Sequence, residues 1–418
     1  MENKALIQND AVVFAILTAI IYFVFTLNKS KHKSIKLFFT FIPPILLCYF
    51  FPGVLNSFGI ISGEHSGVYP FVSKYLLPVC LIFFTLSLDL KMIKDLGPKA
   101  ILVFLAGTFG VIIGGPIAVA IIGAIHPAIF ETSPDLWKGL GTIGGSWIGG
   151  GANQTALKEI LQPSPILFSQ VIAVDVLVAE IWLAVLLWGV TKSAKLDQKL
   201  RADKKLLAQM HEKAIDAKNS HLEKISFYSY LELFAIGFMG MGLAHFLADL
   251  IVPFIKTHYP ALEKISLTSN TFWVVFLVTI YGIILSKTKF RRLENHGASE
   301  FASLLLYVLI AAIGMQMNLG EALSNLWLFG IGIIWISIHI LCVVTAGILL
   351  RVPYFMIAVG SQANIGGAAS ASVVAGAFHP SLVPIGVLFA VLGYALGTYG
   401  GYITALLMQL VQNSFVGV

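Results

Sequence analysis

The sequence predicts an all-α polytopic membrane protein with about ten transmembrane helices. Two glycine-rich re-entrant or broken helices accompany them, and the two halves are related as an inverted repeat. Three observations carry this. The 418-residue chain is 57% hydrophobic and only 11% charged, where a soluble protein carries about 25% charged residues. Apolar runs of about 17 to 27 residues recur from end to end, the length a helix needs to cross a bilayer. Two glycine-rich stretches share an Ile-Gly-Gly core, with Gly366 standing 217 residues after Gly149 and Pro380 standing 217 after Pro163.

In order, the apolar runs lie at roughly 11–27, 36–51, 71–90, 100–124 and 164–190 in the first half. In the second they lie at 226–253, 271–286, 300–318, 326–350 and 380–410. The first run is preceded by Glu2, Lys4 and Asp10 and lacks a basic leading region, so it reads as a retained span. Cys48, Cys80 and Cys342 all fall inside apolar runs and read as small core residues, not as a disulfide framework or metal cluster. The domain plan is a first half 1–190 with a hairpin at 137–161, a charged cytoplasmic linker 191–225, and an inverted second half 226–418 with a hairpin at 355–377. A short match, Ser87-Leu88-Asp89-Leu90 with Gln316-Met317-Asn318-Leu319, extends the repeat.

Charge decides the topology. The connections 28–36, 91–99, 191–225, 287–294 and Arg351 hold 21 of the 27 Lys and Arg residues. By the positive-inside rule all five face the cytoplasm. If the stretch 137–161 crossed the membrane, the linker 191–225 would lie outside. If it dips in and returns, every basic loop lies inside, each half has five crossings, and an odd number of crossings inverts the second half. Each limb of such a hairpin, about ten residues, rises about 15 Å, half the hydrocarbon thickness. The net charge of +6 therefore reports cytoplasmic loops and implies no nucleic-acid partner.

Irregular backbone survives at membrane depth only when buried in protein or facing water, and paired breaks in two halves point to a binding site. The candidate solute-binding residues in the first break are Ser146, Gly149, Gly150, Gly151, Asn153, Gln154 and Thr155. Those in the second are Gln362, Asn364, Gly366, Gly367 and Ser370, with Ser372 a further neighbour. The helix limb after each break starts with free N–H groups that hold anions. The competing reading is close helix packing on small residues, which fits Gly110/Gly114 and Gly393/Gly397. Tyr394 and Thr398 either line the same cavity or pack in the core. Acidic residues inside spans are costly, so Asp175 and then Glu180 are candidates for a coupling ion, Na+ or H+. The alternative is a hydrogen-bonded structural carboxyl. Five residues apart on a helix, the two point to different faces. Asp89, Glu232 and Asp249 lie near span ends, where solvation is easy. His339 reads as a histidine satisfied by a hydrogen bond.

Enzyme chemistry finds no support. Gly144-Gly145-Ser146-Trp147-Ile148 misses a Gly-x-Ser-x-Gly elbow at its last position, and neither a His-Glu-x-x-His nor a phosphate-loop signature occurs.

Three segments, Gly144–Asn153, Ala363–Ala369 and Leu392–Tyr399, resemble the YjcL-like family of integral membrane proteins of unknown function. More distantly, the layout is similar to Na+-coupled glutamate and citrate carriers, with their two opposed glycine-rich hairpins. The resemblance implies a homodimeric, elevator-type secondary transporter, multi-pass in the plasma (inner) membrane. It would have a scaffold, a moving hairpin-bearing core, and membrane lipid and a small-molecule solute as partners. The expectation is cation-coupled transport of a small organic solute with a carboxylate: an amino acid, short peptide or organic acid. No cofactor beyond the coupling ion is expected. A channel or uncoupled exporter, and a non-transporting sensor or assembly subunit, are the competing classes.

Overall fold

A computed structural model describes residues 5–42, 44–88, 93–94, 96–202, 226–265, 267–317, 325–379 and 382–417. Among them every regular element is helical. The first half contains α1 (Asp10–Asn28), α2 (Lys33–Phe41), α3 (Pro44–Ser57), α4 (Val68–Leu86), α5 (Pro98–Ile125), α6 (Leu136–Gly149), α7 (Gly151–Leu161) and α8 (Pro165–Val190). The second contains α9 (Phe227–His258), α10 (Asn270–Ser286), α11 (Ala298–Gly314), α12 (Leu326–Leu350), α13 (Tyr354–Ile365), α14 (Gly367–Phe378) and α15 (Val383–Val416). Seven of these, α1, α4, α5, α8, α9, α12 and α15, are long and apolar enough to cross a membrane. Four shorter apolar helices, α3, α10, α11 and α14, have 14, 17, 17 and 12 residues. Large apolar side chains such as Phe234, Met239, Phe246 and Leu250 on α9 face outward, as a lipid-facing helix requires.

Helix ends follow local chemistry. Ser164 caps α8 by accepting from Leu167 N–H, and Pro165 opens the helix where its missing N–H costs nothing. Ser226 and Ser229 form a capping box on α9. The expected span 36–51 is corrected: the helix stops at Phe41 and restarts at Pro44. Ile42, with φ −123° and ψ 99°, adopts the extended backbone that a following proline imposes. In α4 residues Val72–Leu76 form a π turn. Pro78 has no N–H to offer Lys74 O, and the freed carbonyl accepts from His245 Nε2 at 3.2 Å. Of the linker 191–225, residues 193–199 form a short helix and 203–225 lie outside the described residues. So do Asp89 and Pro380-Ser381.

Both glycine stretches fold back on themselves. In the first, Gly141, Gly145 and Gly149 recur every fourth residue on α6. A methyl group on them would lie 2.7 Å from Leu161 Cδ1, 2.5 Å from Leu157 Cδ1 and 2.2 Å from Asn153 Nδ2. The pairing 141–161, 145–157, 149–153 is that of an antiparallel hairpin (hairpin one). In the second, the far ends meet: Phe378 packs on Phe355 at 5.3 Å and on Tyr354 at 6.0 Å between ring centroids. This is hairpin two, α13 and α14. Gly150 turns hairpin one at φ 77°, ψ −174°, a conformation reserved for glycine. Gly367 sits at φ 66° in hairpin two.

The helices sort into two bundles. In the first, α4 packs on α9, α10 and α11, while α3 packs on α1 and α11. In the second, α15 packs on both hairpins and on α5, α5 packs on α12, and α8 packs on α6 and α12. The seam between them is narrow, formed mainly by α7 against α4, α10 and α11, and by α15 against α4. Polar and ring contacts tie helix ends together within each bundle. In the first, Ser66 Oγ donates to Asp10 Oδ1 at 2.8 Å and Arg292 pairs with Glu232. In the second, Gln412 Nε2 donates to Pro134 O at 2.5 Å, the His126 ring stacks on Trp327, and Tyr354 N–H donates to Asp197 Oδ1 at 2.7 Å.

The glycine contacts set a stability test. Gly149→Ala drives its methyl to 2.2 Å from Gly393 O, and overpacking of this kind costs about 1–3 kcal/mol. Gly242→Ala meets nothing within 4 Å and gains up to about 1 kcal/mol of helix propensity. Thermal unfolding of the purified protein is expected to fall for the first and hold or rise for the second.

Candidate functional site

The two hairpins meet tip to tip. A methyl on Gly150 would stand 3.6 Å from Gly367 Cα, and one on Gly367 would stand 3.8 Å from Gly150 Cα. The Tyr394 ring lies beside Gly150 and Ile45 beside Gly151. Two limbs, α7 and α14, begin at this point, so their first N–H groups converge on it. The close approach needs glycine on both sides, and α15 adds more. Gly393 and Gly397 pack against Gly149, and Gly401 against Gly145. Gly110 and Gly114 pack against α12 at Cys342 and Trp335.

An asparagine locks each tip to a helix that runs past it. Asn153 Nδ2 donates to Gly149 O at 2.7 Å, while its Oδ1 accepts from Thr398 on α15 at 2.6 Å. Asn364 Oδ1 accepts from Thr108 on α5 at 2.8 Å, and its Nδ2 donates to Gly360 O at 3.1 Å and Phe104 O at 3.3 Å. Both side chains are thereby occupied in holding the breaks. The Thr155 hydroxyl turns back to Gly151 O at 2.9 Å.

Asp175 on α8 binds both limbs of hairpin one. Its Oδ1 accepts from Trp147 Nε1 at 2.6 Å and its Oδ2 from Gln154 Nε2 at 2.7 Å, with the Ser146 hydroxyl as a third partner. At 6% exposure it is a buried carboxyl surrounded by donors. Glu180 is half-buried and does not join this group. In hairpin two, the Gln362 amide and the Ser370 hydroxyl both lie against Gly366. Gln362 is 1% exposed, and its Oε1 has no hydrogen-bond partner. His339 is satisfied on both nitrogens. Nδ1 donates to Gly107 O at 2.9 Å, and Nε2 meets Ser361 Oγ at 2.8 Å, which accepts from Trp182 Nε1 at 2.8 Å.

Sequence reading missed Lys158 and Glu159 on α7, because the search for buried charge covered the expected spans and not the hairpin 137–161. The signal was there, a Lys-Glu pair inside an apolar hairpin. Lys158 is 9% exposed. Its ammonium donates to the Tyr69 hydroxyl and to Gln316 Oε1 at 2.9 Å, both across the seam. Glu159 lines an open cleft of about 700 Å3 with Tyr69, Ser73, Lys74, His245, Asp249 and Asn270. Asp249 is exposed, as expected near a span end, and accepts from Asn270 Nδ2 at 2.8 Å. Glu232, expected likewise, is paired with Arg292.

The comparisons with known proteins bear on the whole chain. The family model described as "Protein of unknown function (DUF819)" matches residues 12–411. The chain is 24% identical over 358 residues to the "Uncharacterized membrane protein YjcL" of Bacillus subtilis (strain 168). That alignment covers 83% of this chain and 85% of the relative.

Removing the Asp175 carboxyl leaves Trp147, Gln154 and Ser146 without their shared acceptor. Asp175→Ala is expected to destabilise the protein by about 2–4 kcal/mol, and Asp175→Asn by less. Thermal unfolding in detergent checks the order; equal midpoints for all three proteins would remove the stapling role.

Proposed function

The chain belongs to the DUF819 family, and from that premise we propose that it is a cation-coupled secondary transporter of elevator type for a small organic solute. The solute carries a carboxylate, as an amino acid, a short peptide or an organic acid does. The observation that carries the reading is the contact of Gly150 with Gly367: two helix breaks meeting inside one bundle. Breaks in corresponding places of two halves mark the binding site in transporters built this way. The N-terminal ends of α7 and α14 supply partial positive charge for a carboxylate. The unpartnered Gln362 Oε1 and the Ser370 hydroxyl supply polar contacts for the rest of the solute.

Paired packing supports the inverted repeat. α10 packs on α4 as α3 packs on α11, α9 on α4 as α1 on α11, and α5 packs on its own counterpart α12. Under this reading ten helices cross, and the connections rich in Lys and Arg lie in the cytoplasm of a multi-pass plasma-membrane protein. The first bundle is the scaffold of a homodimer and the second carries the solute. The narrow seam between them supports movement of one against the other. Asp175 takes the coupling ion, Na+ or H+, by exchanging it against the Trp147 and Gln154 donors. The ion changes the hold on both limbs of hairpin one, and so the site.

Uptake into proteoliposomes tests the reading. Accumulation driven by a Na+ or pH gradient is expected, with downhill flux alone pointing to a channel. No flux with any carboxylate solute tried would point to a sensor or assembly subunit. Asp175→Asn is expected to abolish gradient-driven accumulation, and full accumulation in that variant would remove Asp175 from coupling. A single cysteine at Gln198 is expected to resist a membrane-impermeant maleimide added to intact cells; rapid labelling there would refute the sidedness.

A further inference from the structure

Most of the seam between the bundles is apolar. Phe84 packs on Tyr394 at 4.5 Å, Phe276 on Tyr399 at 5.7 Å and Phe272 on Tyr402 at 5.2 Å between centroids. These contacts bring rings and hydroxyls to the seam, with the Tyr399 hydroxyl bonded to Thr279 of the first bundle, but no charge. Lys158 is different. It rides on hairpin one, but the ammonium donates to Tyr69 and Gln316 of the first bundle, and it lies 3.7 Å from the Tyr69 ring centroid. These are neutral partners for a buried cation. Glu159 Oε1 stands 3.5 Å away, within ion-pair range, yet it makes no hydrogen bond. The two residues are adjacent on α7 and travel together. Glu159 also borders the open cleft, which gives its side chain room to turn.

A buried ammonium that loses its acceptors must find others, because an unpaired charge in a low-dielectric site is costly. If the second bundle shifts, Tyr69 and Gln316 stay behind, and Glu159 is the carboxylate that moves with the lysine. We propose that Lys158 is a latch that fixes the hairpin-bearing bundle in the position seen here, and that Glu159 receives its ammonium when the bundles part. Lys158 is thus a positioning residue. Its place in a transport cycle rests on the carrier reading above; the latch itself is a statement about which conformation is held.

The test reads the seam directly. Cysteines are placed at Phe272 and Tyr402, with Cys48, Cys80 and Cys342 replaced by alanine, and the rate of oxidative cross-linking is followed in native membrane vesicles. Lys158→Met is expected to slow cross-linking about tenfold, the scale of one lost hydrogen bond to a charged group. Tyr69→Phe combined with Gln316→Leu, which keeps the lysine, is expected to slow it similarly, and carries the test if Lys158→Met fails to reach the membrane. Glu159→Gln, which leaves the Tyr69 and Gln316 bonds in place and removes the charge of the alternative acceptor, is expected to cross-link at least as fast as the parent. Parental rates in the Lys158 and Tyr69/Gln316 variants would overturn the latch. Slowing by Glu159→Gln equal to that of Lys158→Met would overturn the hand-over. Separated cross-linking rates in a protein that moves no solute would leave the latch standing and sink the carrier reading instead.

Discussion

Hydrocarbon offers no partner to a backbone N–H or C=O, and a helix that stops at membrane depth leaves several of each unsatisfied. The second bundle buries two such helix breaks and satisfies both from within. Each break is held by the same device, an asparagine one side chain away from a threonine on a passing helix: Asn153 with Thr398, and Asn364 with Thr108. The passing helices must come close enough for such short side chains to reach. On α15 the approach is made by bare backbone, with Gly393, Gly397 and Gly401 set against Gly149 and Gly145. The glycine content of these segments thus serves both the turn and its enclosure.

What the sequence revealed divides along physical lines. Spans and breaks are local properties, so the apolar periods and the Ile-Gly-Gly cores located α5, α8, α12 and both hairpins to within a few residues. The second span went astray because an apolar run outweighed Pro43-Pro44, although Ile42 before a proline is a place where helices end. Side-chain partnerships are not local. That Asp175 would meet Trp147 and Gln154 depends on hairpin one folding back against α8, which no spacing along the chain announces. Lys158 was legible as a residue but not as a contact, since Tyr69 and Gln316 come from distant parts of the chain.

The two bundles differ in what they ask of their contacts. Within the second, contacts are close, glycine-lined and hydrogen-bonded at each break, which suits a body that keeps its shape. Between the bundles they are aromatic and sparse, with one ammonium reaching across. Polar groups concentrate at this boundary and at the hairpin tips, and the outer faces of helices such as α1 and α9 carry apolar side chains. That distribution is what a protein dissolved in lipid needs if its working parts are internal.

The π turn in α4 has a consequence for the cleft beside it. Because Pro78 cannot reach back to Lys74, that carbonyl holds His245 through Nε2. A carbonyl only accepts, so a hydrogen sits on Nε2 and that nitrogen is the donor. A missing amide proton in one helix thereby decides which nitrogen of a ring on another is held. His245 borders the cleft with Nε2 already committed, so its Nδ1 is the nitrogen left for whatever arrives there.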